Sequence, residues 1–402
     1  MKISARGKLK IPRVAVRKAQ REEQEFEEAT IQGGIIGVTG TGKSSLINAL
    51  AGQDIAEVGV LETTGVLSEI SAYEFHNIIL IDLPGVGTKN WRTETYFSNL
   101  DKEPQANGKY SLRPEDFDFF ILVLANRILD EDLKLYRLIT RKLKKRCFLV
   151  RSKFDIDANN NWRTKRKSDK ETYTEIKADI WKNFPKEKHD RAFVISTAEP
   201  ARGDFEALEM AITKALPEVK ADKFLAFAMA YSKKGLKKKR VVAQKHSGRI
   251  ALLSAANAFN PIPGLGLAAD IGLLLKLSRD LVAIYGLTSE HLDHGIHLHL
   301  KSKAWGLQLK RRTLRAIESL LTRKGIVAIL RRFGLGLEVK ELARWLPYVG
   351  QAIAAITGYR LTSSYAQEAM ARCEAQAFQV LKEWQPQKIS STEDGWEKIT
   401  GL

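Results

Sequence analysis

Between Ile31 and Pro217 short apolar runs alternate with amphipathic stretches, whereas beyond Glu218 apolar positions recur mainly at three- and four-residue steps. The short runs are Ile31–Ile36, Gly65–Phe75, Asn77–Asp82, Phe117–Ala125, Lys145–Lys153 and Arg191–Thr197. Their length and β-type composition predict strands, and segments such as Asp130–Lys144 between them predict helices. Alternating strand and helix gives an α/β domain, a mostly parallel sheet with helices on both faces.

The second half reads differently. Leu267, Ile271, Leu274, Leu275, Leu281, Val282 and Tyr285 form one apolar stripe, and Met370, Cys373, Ala377, Val380 and Trp384 form another. The segment RKAQREEQEFEEA before Ile31 is also helix-prone and is expected to pack with these helices instead of the sheet. The expected division is therefore 1–30 as an N-terminal helical segment, 31–217 as the α/β domain, 218–386 as an all-α domain and 387–402 as a polar, flexible tail. Ile250–Leu275 carries a single charge, Asp270, but Asn257, Asn260, Pro261 and Pro263 divide it. A spanning helix wants about 20 continuous apolar residues, so packing in the helical core is the preferred reading.

Composition supports two cores, since 402 residues with 44% hydrophobic content exceed what one core holds. The formal charge of +18 favours contact with phosphates, nucleic acid or an anionic membrane surface. Basic clusters lie at Lys142–Arg146, Arg163–Lys167, Lys233–Arg240, Lys310–Arg315 and Arg331–Arg332. Solvated helix faces explain them most simply; several facing one way would suit anionic lipid. No aromatic-interleaved RNA motif is present, so nucleic acid is not expected as a partner. Two cysteines, Cys147 and Cys373, predict a reducing compartment and a cytoplasmic protein, at most peripherally attached to a membrane. The basic N-terminus has no leader-like apolar run, and Lys2 stands where myristoylation needs glycine. His291, His294, His297 and His299 cluster at helical spacing, but no further ligands complete a metal set, and a polar helix surface is the expected role.

The chemistry concentrates after the first strand. Gly37, Gly42, Lys43 and Ser44 satisfy G-x-x-x-x-G-K-[ST] between a strand and a helix, the context a P-loop requires. There Val38, Thr39, Gly40, Thr41 and Gly42 turn backbone N–H groups toward phosphates, and Ser45 extends the set into the helix. Lys43 is expected to reach the β- and γ-phosphates and Ser44 to ligate Mg²⁺. Asp82-Leu83-Pro84-Gly85 closes an apolar strand, where Asp82 can hold Mg²⁺ through water and the Gly85 N–H can donate to the γ-phosphate. Glu62-Thr63-Thr64-Gly65 occupies the place of a switch loop, with Thr64 favoured over Thr63 as the residue closing on the metal and γ-phosphate. Lys43, Ser44, Thr64 and Gly85 are thus the expected catalytic set.

Ser152-Lys153-Phe154-Asp155 follows another strand. Asp155 can accept from guanine N1–H and the 2-amino group, which adenine lacks as a pair, so this carboxylate selects GTP or GDP. Lys153 would lie along the base, and the segment Ser196-Thr197-Ala198 would offer a backbone N–H to the base carbonyl. Asn or Thr is usual at the position of Ser152.

These boxes, together with the stretches FDFFILVLANRILDEDLKL, NPIPGLGLAADIGLLLKLSRDLVAIYGL and LPYVGQAIAAITGY, resemble the immunity-related GTPases of the dynamin superfamily over residues 31 to about 384. The resemblance implies a Ras-like GTPase domain on a helical domain built from both chain ends. It also implies Mg²⁺-dependent GTP binding and nucleotide-dependent self-association through the GTPase domains, often on membranes. The chain departs from many members at Val38, where they carry a glutamate that acts across a dimer. Val86, after the D-x-x-G glycine, follows the family, and an alkyl group there cannot orient water as the Gln of Ras-type proteins does. Slow intrinsic hydrolysis is expected, with the missing polar group supplied on self-association by Thr39, Thr41 or a partner residue.

Overall fold

The computed structural model describes residues 13–58, 70–86, 91–100, 105–106, 109–184, 191–257, 265–300, 302–333 and 349–384. These fall into two compact units, one comprising 29–232 and the other 13–28 with 233–384.

The first unit is built on a six-stranded sheet in the order β2-β3-β1-β6-β7-β8. Its strands are β1 (Ile31–Gly37), β2 (Ser71–Phe75), β3 (Ile78–Pro84), β6 (Phe119–Leu124), β7 (Arg146–Arg151) and β8 (Ala192–Val194). Only β2 runs antiparallel, against β3; a separate two-residue ribbon pairs β4 (Gln105–Ala106) with β5 (Tyr110–Ser111). Around the sheet lie α2 (Lys43–Ala51), α3 (Tyr96–Leu100), α4 (Asp130–Arg137), α5 (Phe154–Lys165), α6 (Asp169–Asn183), α7 (Phe205–Ala215) and α8 (Glu218–Phe227). Every residue of β1 and β6 is buried, as continuous apolar central strands covered on both faces must be. One face joins Ile36, Ile81, Phe120 and Leu149 to Tyr96, Tyr136, Phe154 and Ile180 of α3–α6. On the other, Phe119 meets Phe224 of α8 edge-on at 6.3 Å. Gly33 and Gly34 make room in β1 for two rings, because a Cβ there would lie 2.5 Å from Phe119 and 2.6 Å from Phe120. The expected α/β class is borne out.

The expected boundary at 217 needs correction. Helix α8 stays with the sheet, where Phe224 is fully buried and Lys220 Nζ donates to Asp118 Oδ1 at 2.7 Å. Tyr231 then donates to the Ala49 carbonyl at 2.9 Å, so the chain leaves this unit only after Ser232. Periodicity identified a helix but could not say which core would receive it.

The second unit is all helical: α1 (Arg13–Glu28), α9 (Lys233–Asn257), α10 (Leu265–Ile284), α11 (Ser289–His299), α12 (Lys303–Leu321), α13 (Arg323–Arg332) and α14 (Val349–Trp384). Leu274, Leu281, Val282 and Tyr285 of the first stripe and Cys373, Ala377, Val380 and Trp384 of the second are buried. Within Ile250–Leu275, Ile250, Ala251 and Ala255 are buried and Ser254 Oγ donates to Asp270 at 3.0 Å. Among the described residues no helix is long and apolar enough to cross a membrane. The polar-surface reading of the histidines fails at His291 and His294, which are 1% and 6% exposed. Their neighbours Leu292 and Gly295 are buried too, so this part of α11 turns inward. Among the described residues no group of His, Cys, Asp or Glu side chains is placed to hold a metal ion.

Helix α1 is fastened by charge. Glu23 accepts from Arg249 Nε at 2.9 Å and Lys276 Nζ at 2.8 Å. The His246 ring sits between two carboxylates, with Nδ1 3.2 Å from Glu23 and Nε2 2.8 Å from Asp280. Burial pulls the His246 pKa down, but its bonds to Asp280 and Glu23 outweigh that and hold it above the ordinary value. A raised folded-state pKa contributes stability that is complete below the unfolded value near ~6.5 and is lost as pH climbs through the folded value. The thermal-stability gap between wild type and His246→Gln is therefore expected to narrow as pH is raised from roughly 6 to 9. A gap independent of pH would show that the ring is not held as imidazolium.

Candidate functional site

The candidate residues gather at the carboxyl ends of β1, β3, β7 and β8, the rim where parallel α/β sheets bind ligands. After Gly37 the chain turns through Val38, Thr39 and Gly40, closes with Thr41 Oγ1 donating to the Val38 carbonyl at 2.8 Å, and enters α2. Gly42 stands at φ +94°, a left-handed conformation that glycine takes without steric cost, and no side chain caps the helix. The N–H groups of the first turn, which includes Lys43, Ser44 and Ser45, thus have no capping side chain of their own.

Lys43 Nζ donates to the Gly37 carbonyl at 2.8 Å and lies 3.5 Å from Asp82 Oδ1. That oxygen is buried and makes no hydrogen bond, so its contact with Lys43 is a charge pair only. Burial pushes the Asp82 carboxyl up to about 6, against the opposing pull of Lys43. A desolvated carboxylate with an unspent acceptor suits a partner of high positive charge, and a hydrated divalent cation is such a partner. Three residues on, Gly85 presses its backbone against the loop: a Cβ at this position would lie 2.6 Å from Val38 N. Tyr96 fixes the approach by donating to the Pro84 carbonyl at 2.6 Å. Val86 is 3% exposed and belongs to the apolar core.

Base-recognition candidates are tied to the same loop. Ser152 is buried and donates from Oγ to the Thr41 carbonyl, so the serine at this degenerate position still joins the two segments. Lys153, itself at φ +62°, donates to the Gly40 carbonyl at 2.5 Å. Asp155, in the first turn of α5, accepts from Ser196 Oγ at 2.6 Å, and the same hydroxyl receives the Glu199 N–H at 2.8 Å. Thr197 follows at the rim, half-buried. Thr64, with Thr63 and Glu62, lies outside the described residues.

The sequence reading missed the side chains that brace this corner. Ser196 was expected to act through its backbone, yet its hydroxyl aims Asp155. Arg202 lies 5.7 Å from the Phe154 ring and makes two 2.7 Å bonds to Asp169, clamping the start of α6 beside α5. Residues 33 apart carry no local signal for such a pair.

A mostly parallel sheet with a glycine-lysine loop between its first strand and helix defines a P-loop nucleotide-binding protein. The model of the interferon-inducible GTPase (IIGP) family matches residues 5–314. The chain belongs to this family, in accord with the resemblance to immunity-related GTPases. It is 29% identical to mouse (Mus musculus) interferon-gamma-inducible GTPase 10 over 71% of its length and 66% of that protein. With bovine (Bos taurus) interferon-inducible GTPase 5 it shares 32% identity over 64% of its length and 55% of the relative. It thus spans between about half and two thirds of these relatives. A solved structure of a probable GTP-binding protein engB overlaps 46% of this chain and 97% of its own, at 20% identity and a TM-score of 0.30.

Removing the hydroxyl that orients Asp155 isolates its role. Ser196→Ala is expected to weaken GDP affinity roughly fivefold, about the worth of one net hydrogen bond, with little change in inorganic pyrophosphate binding. Equal losses for both ligands would place Ser196 outside base recognition.

Proposed function

We propose that this chain binds GTP and GDP with Mg²⁺ and hydrolyses GTP slowly, and that its GTPase domains self-associate, in part at anionic membrane surfaces. The observation that carries the reading is the convergence of Lys43, Asp82, Gly85 and Asp155 on one rim, with Ser152 and Lys153 bonded to the phosphate loop. Backbone N–H groups from Val38 to Ser45 would receive the phosphates, and Lys43 would neutralise the β- and γ-oxygens. Ser44, Thr64 and, through water, Asp82 would hold Mg²⁺, which supplies charge neutralisation at those oxygens. The Gly85 N–H would donate to the γ-phosphate. Asp155 and Lys153 would receive guanine, beside Ser196 and Thr197.

Hydrolysis replaces the bond between the β-γ bridging oxygen and the γ-phosphorus with one from water, releasing GDP and phosphate. Val86 is packed in the core, so no side chain at its position can orient that water. Thr41 already donates to the Val38 carbonyl, which leaves exposed Thr39 or a second copy as the source of the polar group. The burial of Val86 also favours a second reading, a GTP-loaded module with negligible turnover that engages a protein or RNA partner.

Lys43→Ala is expected to abolish GTP and GDP binding, and Asp155→Asn to exchange guanine for xanthine preference. Filter binding with labelled GTP and XTP reads both; GTP affinity unchanged in Asp155→Asn would refute the assigned base contact. Turnover per protomer should rise with protein concentration between nanomolar and tens of micromolar, and further with anionic vesicles, in step with light scattering. Measurable turnover that stays flat would refute hydrolysis by self-association, and none at any concentration would select the second reading.

A further inference from the structure

A second cluster of cations lies at the other end of the same sheet. Arg146 opens β7 and Arg191 precedes β8, so both stand at the strand starts, opposite the rim where Ser152–Asp155 and Ser196 emerge. With Lys214 of α7 they line a cavity of about 390 Å³ between α6, α7 and the edge of the sheet. Its floor is apolar, formed by Phe148, Phe193 and Met210.

Lys177, in the same cavity, shows what a structural cation looks like here. Its Nζ is 2.9 Å from Asp204 Oδ2 and donates to the Ala192 carbonyl at 2.5 Å. Asp204 is consumed as well, accepting from the Tyr173 hydroxyl at 2.9 Å and from the Val194 N–H at 2.9 Å. That pair caps backbone groups of β8, and Asp204 is the one carboxylate among the described residues that line the cavity. Arg146, Arg191 and Lys214 have no hydrogen-bond or carboxylate partner among the described residues. Three like charges lining one concave, partly apolar surface make it attractive to an anion.

We propose that this cavity is a second ligand site, separate from the nucleotide rim, which takes a small soluble phosphate monoester carrying an apolar group. Two guanidinium groups and an ammonium match a phosphate dianion, since Arg offers paired donors in a planar fork and Lys a point charge. The Phe148, Phe193 and Met210 floor receives the apolar part, and the volume suits a ligand of this size. A phosphate on a lipid surface shares the headgroup chemistry, and vesicles in the test separate that source from a free molecule.

The test is calorimetric titration of the full chain, held in GDP and Mg²⁺, with phenyl phosphate at low ionic strength. One saturable site is expected, with Kd below roughly 1 mM, weakened about tenfold or more in the double variant Arg191→Gln, Lys214→Gln. Unchanged thermal unfolding and GDP affinity in that variant verify its fold. Lys43→Ala, folded as judged by its thermal unfolding and titrated in the same buffer without bound GDP, should bind phenyl phosphate like wild type, which makes the result independent of the nucleotide reading. Absence of saturable binding, an unaltered Kd in the double variant, or loss in Lys43→Ala would each overturn the proposal. So would vesicles containing phosphatidic acid that bind through these two residues when phenyl phosphate does not.

Discussion

Everything at the rim depends on how closely three backbone segments can approach without side chains between them. Gly37, Gly42 and Gly85 permit this: a Cβ at Gly37 would lie 2.7 Å from the Val123 carbonyl, at Gly42 2.9 Å from Ser152 Oγ, and at Gly85 2.6 Å from Val38 N. The spaces left are too narrow for water to solvate Asp82 and Lys43 fully. Their charges therefore interact in a medium far less screening than solvent. The same crowding raises the Asp82 carboxyl above its ordinary value.

Much of this was legible in the sequence because the determining signals are local. The phosphate loop is contiguous, and apolar runs such as FDFFILVLA declare a buried strand on their own. Asp82 lies at the end of such a run and Asp155 four residues beyond another, so their place on the carboxyl rim follows from the pattern. What was not legible depends on tertiary choice. Helix α8 carries no mark that it joins the sheet, and the Glu23–His246–Asp280 cluster unites residues 223 and 34 positions apart. His291 and His294 looked polar by type, but α11 turns that part of its length inward.

The two units use charge in opposite ways. In the helical unit a histidine is enclosed by carboxylates, and the surrounding Arg249 and Lys276 complete the balance, so the cluster fixes one arrangement of α1, α9 and α10. Removing any partner would leave an uncompensated buried charge, which is costlier than never having buried the group. At the nucleotide rim the balance is left incomplete: Asp82 has an unspent oxygen. The contrast is one of charge alone, since Arg249 Nη2 is likewise buried without a hydrogen bond: a closed set of charges suits architecture, and an open one suits binding.

The capped margin of β8 sets a limit on how copies of this protein can meet. An open strand edge is a template for another chain, since its unpaired amides and carbonyls accept a foreign strand in register. Here Lys177 occupies the Ala192 carbonyl and Asp204 the Val194 amide, while Ile195 bridges to Gly203. Continuous intermolecular sheets are thereby blocked along this border. A second copy that met this border would have to do so through side chains.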